Sequence, residues 1–298
     1  MTENLAAERS PAAPAAPPGR RPDDWSTAGL DLGAYLRRVG YAGPVAPDEA
    51  TLTGLHRAHL AAIRFENLDV FLNGRVSVDL ADIQEKIVGR GRGGYCYEQA
   101  QLFGAVLERI GFTVQRFLAR VGPDDGGPAR PRTHLTLEVR AGLGIWLADV
   151  GYGSSPPAPL TLRRLRSGGP QELDGWIYEV APDEAEGTWK LREYQGGEWV
   201  THFRYTHDPV HPVDVLLSNY YTSTHPDSWF TRQPIIVRRD PDAIRSIVGR
   251  GYTLIRPGHV KERRELTDAE FAAALTTEFA LPLSADEVAA AVAAPSGR

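Results

Sequence analysis

Residues 90–99 read RGRGGYCYEQ and contain the only cysteine of a 298-residue chain. A lone cysteine commonly serves as a small buried hydrophobe. Arginines and a loop-to-helix junction are also what lower a thiol's pKa and turn it into a nucleophile. A nucleophilic Cys96 needs a base within reach and a third group to orient that base. THLTLEV places His134 early in one strand, and WLADVGYG places Asp149 at the end of the next. If the two strands pair as a hairpin across AGLG, with the turn near residue 142, His134 falls opposite residue 150 and beside Asp149. Opposed residues in an antiparallel pair lie about 4.5–5.5 Å apart. An imidazole could then be held by a carboxylate while its other ring nitrogen faces the cysteine. Each residue also has a plainer reading. A histidine opening a strand can be a satisfied polar side chain, and DVGYG can be a tight turn capped by its aspartate.

The glycines have a separate use. Gly91, Gly93 and Gly94 let the backbone turn sharply, approach a substrate closely and enter a helix that starts at about Cys96. The free amides and positive dipole end of that helix favour an anion. They would stabilise a thiolate and could stabilise the oxyanion of a tetrahedral intermediate, with the backbone N–H of Cys96 or its neighbours as donor.

Positioning such groups requires helices and strands in a definite order. LDLGAYLRRVGY, TLTGLHRAHLAAIRFENL, DLADIQEKIVG and CYEQAQLFGAVLERIGF repeat apolar residues at helical spacing, with Asp79 as an N-cap candidate and Gly40, Gly89 and Gly111 at helix ends. After Gly111 the period drops to two. FTVQRFLARV, HLTLEVRA, GIWLADVGY, WIYEVA, TWKLREYQ and EWVTHFRY read as six strands without intervening helices, the pattern of a curled antiparallel sheet or barrel. The last part mixes VLLSNYYTSTHPDSWF, strands around PIIVRR and YTLIRP, and two helices, LTDAEFAAALTTEF and SADEVAAAVAA. Residues 1–26, rich in Ala and Pro, read as a disordered tail. The expected organisation is α+β: the tail, a helical bundle over 27–110 carrying the nucleophile, a β-barrel over 111–215 carrying the histidine and aspartate, and an α/β lid over 216–298.

Composition narrows the function classes. Apolar residues make up 42% and charged residues 24%, as in an ordinary globular protein, and the net charge of −5 gives no reason to expect nucleic acid or a membrane surface as partner. No apolar run is long enough to span a bilayer, and the N-terminus lacks the order of a signal peptide. One cysteine excludes an intramolecular disulfide framework and suits a reducing cytoplasm. His202, His207, His211 and Asp208 cluster in THFRYTHDPVH, but their spacing fits no standard zinc motif, so no metal is expected. Arg92 and Glu98 flank the cysteine and are expected to form structural ion pairs with each other or with a neighbour. His225 in STHP is either a loop residue or a ligand contact.

RGRGGYCYEQ, THLTLEV and LADVGYG closely resemble the three catalytic motifs of the arylamine N-acetyltransferases, in the family's order. The resemblance extends to IRFENLDV, NYYTSTHPDSWF and LDLGAYLRRVGY, and covers about residues 27–280. It implies a cysteine-protease-like triad of Cys96, His134 and Asp149 on a helical bundle, β-barrel and α/β lid. It also implies a ping-pong reaction with acetyl-CoA as co-substrate, in which an acetyl group passes through Cys96 to the nitrogen of an aromatic amine or hydrazine. The family's aromatic pocket maps onto Phe65, Tyr152 and Phe230; no CoA-binding residue is assigned. Ala100 stands where the family usually has asparagine, Arg64 where proline is common, and Tyr152 where phenylalanine is frequent, which bears on amine preference.

Three other readings use the same residues. A related amide synthase would keep the triad and close a polyketide macrolactam from an acyl thioester, and the Arg-, Ala- and Gly-rich composition suits genomes where such pathways occur. A cysteine hydrolase also carries Cys, His and Asp in this order, but the glycine and STHP motifs match the transferases. A non-enzymatic binding module would need a broken triad.

Overall fold

The computed structural model describes residues 25–122, 129–162, 169–259 and 261–294. The expected N-terminal tail therefore lies outside the described residues, apart from Trp25 and Ser26.

The N-terminal part is helical. Helices α1 (Leu32–Val39) and α2 (Glu49–Ala62) start on aspartates whose side chains accept from backbone amides, Asp31 from Ala34 and Asp48 from Thr51. A two-residue strand β1 (Phe65–Glu66) follows, then α3 (Leu68–Asn73) and α4 (Leu80–Gln84), which widens into a π-helical turn over Glu85–Gly89. Asp79 occupies the N-cap position of α4, but its side chain makes no capping bond. Helix α5 (Cys96–Ile110) opens with Cys96 and ends at Gly111 in the left-handed conformation. It is buried along most of its length, packing Leu102, Phe103, Val106 and Leu107 into one core with α1, α2 and the strands that follow.

Those strands are β2 (Thr113–Val121), β3 (Arg132–Ala141), β4 (Gly144–Leu147), β5 (Leu160–Leu162), β6 (Gln171–Leu173), β7 (Trp176–Asp183), β8 (Thr188–Gln195) and β9 (Glu198–Tyr205). They form one antiparallel eight-stranded sheet in the order β5-β4-β3-β2-β9-β8-β7-β6, as the period of two leads one to expect. The sheet curls until its edges almost meet. The gap is bridged by the Gln171 amide on β6, which accepts from Thr161 N (2.9 Å) and donates to Thr161 O (3.2 Å) on β5. That side chain imitates a backbone ladder and satisfies an edge that would otherwise be open. Phe117, Leu160, Trp176, Tyr178, Leu191, Phe203 and Tyr205 fill the interior.

The C-terminal part contains α6 (Pro212–Thr224), α7 (Trp229–Arg232), β10 (Ile235–Arg239), β11 (Ile244–Val248), β12 (Gly251–Ile255), β13 (Lys261–Glu265), α8 (Asp268–Thr276) and α9 (Ala285–Ala293). Its five-stranded antiparallel sheet runs β1-β10-β11-β12-β13, so the segment next to Phe65 is recruited from the far end of the chain. Helices α8 and α9 cover it through Phe271, Leu275 and Ala291, with Phe279 from the segment between them. No helix among the described residues is long and apolar enough to cross a membrane.

Candidate active site

Cys96 begins α5 and is 3% exposed. The loop before it is pinned on three sides. Gly94 N donates to Arg64 O (3.2 Å), and Glu66 N donates to Gly94 O (3.1 Å). Gly93 lies so close to the β1 segment that a Cβ there would sit 2.4 Å from Arg64 O, so only glycine fits. Glu98 closes a capping box by accepting from Tyr95 N (3.0 Å). Tyr95 and Tyr97, on either side of the cysteine, reach α6 through Asn219 and Thr222.

The thiol rests against the start of β3. Cys96 Sγ donates to Thr133 O (3.6 Å), and the backbone N–H of Leu135 bonds the sulfur, so its contacts bracket His134 on both sides. His134 is buried and its Nε2 donates to Asp149 Oδ2 at 2.6 Å. In the neutral ring Nδ1 is then the acceptor nitrogen, the one able to take a proton from a thiol. The hairpin pairs Glu138 with Leu147 and Ala141 with Gly144, a register that carries His134 to a position opposite residue 151. The turn lies on Gly142–Leu143, half a residue beyond the expected centre, which accounts for the one-residue difference.

Asp149 is fixed by several partners. Its Oδ1 accepts from Gly151 N (3.0 Å) and Ser155 Oγ (3.2 Å), and its carbonyl accepts from His56 Nε2 on α2 (3.1 Å). Burial alone would raise its carboxyl pKa, but the charge and hydrogen bond of His134, with the bond from Gly151 N, hold it below the usual carboxylate range. Gly151 brings this loop against Cys96: a Cβ there would lie 3.0 Å from Cys96 O and 3.1 Å from Cys96 Cα. Burial pushes the Cys96 thiol pKa up, and amide bonds from Leu135 and Tyr97 oppose that rise.

Arg92 does not serve the thiol. Arg92 pairs with Glu66 (3.1 Å), Asp69 (3.4 Å) and Glu287 of α9 (2.9 Å), while Glu98 pairs with Lys86 (2.9 Å), which also holds Asp69 (2.8 Å). Arg92 and Glu98 thus each find a neighbour instead of each other, and the network ties α9 to the loop before Cys96. Burial raises the Glu98 carboxyl to about 7, with Lys86 opposing.

Behind the same loop runs a chain of buried hydrogen bonds that motif spacing does not reveal. Gln99 Nε2 donates to Gly94 O (2.6 Å) and Arg64 O (3.2 Å), so its Oε1 must accept, and it does so from His59 Nε2 (3.2 Å). His59 Nδ1 then accepts from Tyr35 OH (2.9 Å). Burial lowers the pKa of His59 to about 3 and of His56 to about 4, so both rings are neutral. The available signal was their spacing of three on one helix, which puts both on the face turned toward α5.

Of the three aromatic residues singled out from sequence, Phe65 and Phe230 meet, with ring centroids 6.1 Å apart, and Tyr95 packs on Phe230 at 5.7 Å. Gly153 leaves room beside Phe65. Tyr152 turns into the barrel, where its ring lies 5.3 Å from His134 and 5.4 Å from Phe203, and its hydroxyl donates to His202 O (3.1 Å). Arg64 bonds the Ala61 and Phe279 carbonyls, and Ala100 is buried in α5. His202 is held by Glu193 (2.7 Å), His207 by Glu138 (2.9 Å), and His211 caps α6. His225 ends α6 stacked on Tyr221 at 4.5 Å.

A cysteine at a helix start, bonded to the strand that carries an imidazole–carboxylate pair, has the parts for covalent acyl transfer. The fold and this layout are those of an α+β protein that carries a buried cysteine, histidine and aspartate close together. Residues 48–288 match the N-acetyltransferase family model. The chain is 33% identical to the arylamine N-acetyltransferase of Mycolicibacterium smegmatis over 85% of its own length and 93% of the relative's. It is 32% identical to that of Escherichia coli, over 84% and 88%. The solved structure of the Nocardia farcinica arylamine N-acetyltransferase superposes with a TM-score of 0.84 at 36% identity, covering 90% of this chain and 95% of that one. The Mycobacterium marinum enzyme, solved in complex with CoA, gives 0.80 at 31% identity, over 88% and 98%. The chain belongs to the arylamine N-acetyltransferase family.

Proposed function

We propose that the chain transfers an acetyl group from acetyl-CoA to the nitrogen of an arylamine or arylhydrazine, with Cys96 as nucleophile, His134 as proton carrier and Asp149 as its orienting partner. His134 Nδ1 takes the thiol proton as Cys96 Sγ attacks the thioester carbonyl. The tetrahedral oxyanion is met by backbone N–H groups at the start of α5. Collapse breaks the carbon–sulfur bond to CoA, whose thiolate leaves with the proton from His134. The amine then attacks the acetyl-cysteine, gives a proton to His134, and the Cys96 sulfur departs and is reprotonated. Phe65 and Phe230 supply apolar surface for a flat aryl ring, and Tyr152 packs on the base.

The observation that carries this reading is the buried 2.6 Å bond from His134 to Asp149, beside a thiol bonded to the residues on both sides of that histidine. The CoA complex of the Mycobacterium marinum relative supports a CoA thioester over the polyketide thioester of a macrolactam synthase. The unpaired thiol supports a reducing, cytoplasmic setting.

Intact-protein mass spectrometry tests the scheme. Acetyl-CoA alone should add one acetyl group, mapped to Cys96, and a simple arylamine should remove it as N-acetylarylamine. A Cys96→Ala variant that still acetylates the arylamine at the wild-type rate would overturn the assignment.

A further inference from the structure

A surface helix ordinarily turns its apolar stripe to the core and its polar residues to water. Helix α6 does the reverse. Its buried face carries Asn219, Thr222 and Ser223 beside a single apolar residue, Val215. Val213, Leu216, Leu217 and Tyr220 face water, each between 53% and 65% exposed. Hydrogen bonds on the buried side fix this orientation. Asn219 Oδ1 accepts from Tyr95 OH, its Nδ2 donates to Val76 O (2.9 Å), and the Tyr97 and Thr222 hydroxyls meet at 3.2 Å. Rolling the helix to hide its leucines would break all three bonds and leave buried polar groups unpaired.

The four exposed residues follow i, i+3, i+4 and i+7, so they form one continuous stripe. Val213–Leu217 and Leu216–Tyr220 make two i, i+4 ridges with a groove between them, a surface that interdigitates with its like on another helix. Together they hold roughly 300 Å² of apolar surface in water, a size that marks interaction sites on single chains. The helix contains one charged residue, Asp214 at its start, and that carboxylate already accepts from His211 N (2.8 Å).

We propose that this face pairs with the same face of a second copy of the chain, α6 against α6 across a twofold axis. The stripe matches itself in shape and carries no charge, so two chains of net charge −5 can meet there without opposing like charges. A symmetric pair would bury about 600 Å² of apolar surface from the two stripes. A rim of similar area brings the interface to about 1,200 Å², the lower end for specific association. The dimer is therefore a weak one, with a dissociation constant on the order of 1–100 µM. A membrane surface fits less well, because an interfacial helix relies on Lys or Arg along its polar face and α6 has neither. Residues 1–24 also fit less well, since Met1 and Leu5 are their only large apolar side chains.

Sedimentation velocity of the full chain, from about 1 to 300 µM, tests the pairing. The sedimentation coefficient should rise from that of the 32.6 kDa monomer to that of a dimer and go no further. Leu217→Lys sets two like charges into the apolar interface and should raise the dissociation constant at least tenfold. Tyr220→Lys, on the same stripe, should do the same, and is the deciding variant where Leu217→Lys does not fold. Val248→Lys, at an apolar position on β11 that is 41% exposed, should leave the dimer unchanged. A chain that stays monomeric throughout overturns the proposal, whether residues 1–24 or phosphatidylglycerol vesicles then prove to cover the stripe. So does a dimer that survives both α6 variants, a Val248→Lys variant that weakens it equally, or growth into trimers and beyond. None of these readouts involves acetyl transfer, so failure here leaves that reading intact.

Discussion

His56 and His59 make the fold sensitive to acid in a calculable way. Both rings are fully buried on α2, with pKa values held at about 4 and about 3 by burial. In the unfolded chain each returns to about 6.5. Depressed values in the folded state mean that the unfolded chain binds more protons below pH 6.5, so stability falls as pH falls through that value and the loss is complete only near pH 3–4. At pH 5 each unfolded ring carries nearly a full proton and each folded ring almost none. The loss between pH 7 and pH 5 is then about 1.8 kcal/mol per ring, or about 4 kcal/mol for the pair. As long as both rings stay neutral in the fold, the unfolded chain alone sets this magnitude. Urea unfolding at pH 7, 6 and 5 reads it directly, compared with a His56→Gln/His59→Gln variant. Glutamine keeps a donor toward Asp149 O and Gln99 Oε1 but cannot take up a proton. The wild type should lose about 4 kcal/mol more than the variant over this range. Equal pH slopes for the two proteins would refute the reasoning, as would an NMR titration placing either folded ring near 6.5.

Two substitutions probe how Cys96 is held. Gly151→Ala puts a methyl 3.0 Å from the Cys96 carbonyl oxygen and must push the Asp149 loop outward; Cys96 acetylation followed by mass spectrometry should slow at least tenfold with the far-UV spectrum unchanged, and a wild-type rate would show the contact to be slack. Arg92→Met removes the cation shared by Glu66, Asp69 and Glu287, leaving Glu66 wholly buried beside Asp69. Breaking one side of a buried ionic network costs about 3–5 kcal/mol, so the urea midpoint should drop accordingly, and a loss below about 1 kcal/mol would mean that water already screens the cluster.

Strand and helix order were readable because the hydrophobic period changes sharply at Gly111, and the hairpin was readable to within one residue of its register because Gly142 falls in its turn. Strands without an apolar face were not. β13 is KERRE, exposed at every position on the sheet edge, and its residues carry no pattern that separates it from a charged loop. β1 has two residues, and its pairing with β10 joins positions more than 160 apart, a contact that no local signal encodes. β5 and β6, three residues each, are too short to display a period. The site shows the same division. Cys96, His134 and Asp149 stand out because each sits at an element boundary within a short motif. Gln99, His56 and His59 look like ordinary helix residues until packing reveals what their polar atoms meet. Tyr152 illustrates the limit from the other side: adjacency to Asp149 in sequence left open that its ring would turn into the barrel instead of joining Phe65 and Phe230.

The arrangement also bears on how a buried thiol can react at neutral pH. Arginines beside a cysteine in sequence suggest a thiolate stabilised by positive charge, but Arg92 is committed to Glu66, Asp69 and Glu287, and Glu98 is committed to Lys86. With burial raising the thiol pKa and the nearby Asp149 charge adding to that rise, a free thiolate is disfavoured at rest. The proton can leave only if its destination makes up for the cost, and an imidazolium on His134 does so as the immediate partner of a charged Asp149 carboxylate. In the proposed scheme the nucleophile is therefore made as an ion pair at the moment of use, and the amides of Leu135 and Tyr97 supply the remaining stabilisation. The buried hydrogen bonds through His56, Gln99 and His59 act on geometry instead of charge, since both rings are neutral. They hold the Asp149 loop and the Gly93–Gly94 turn in place, and with them the distance over which that single proton moves.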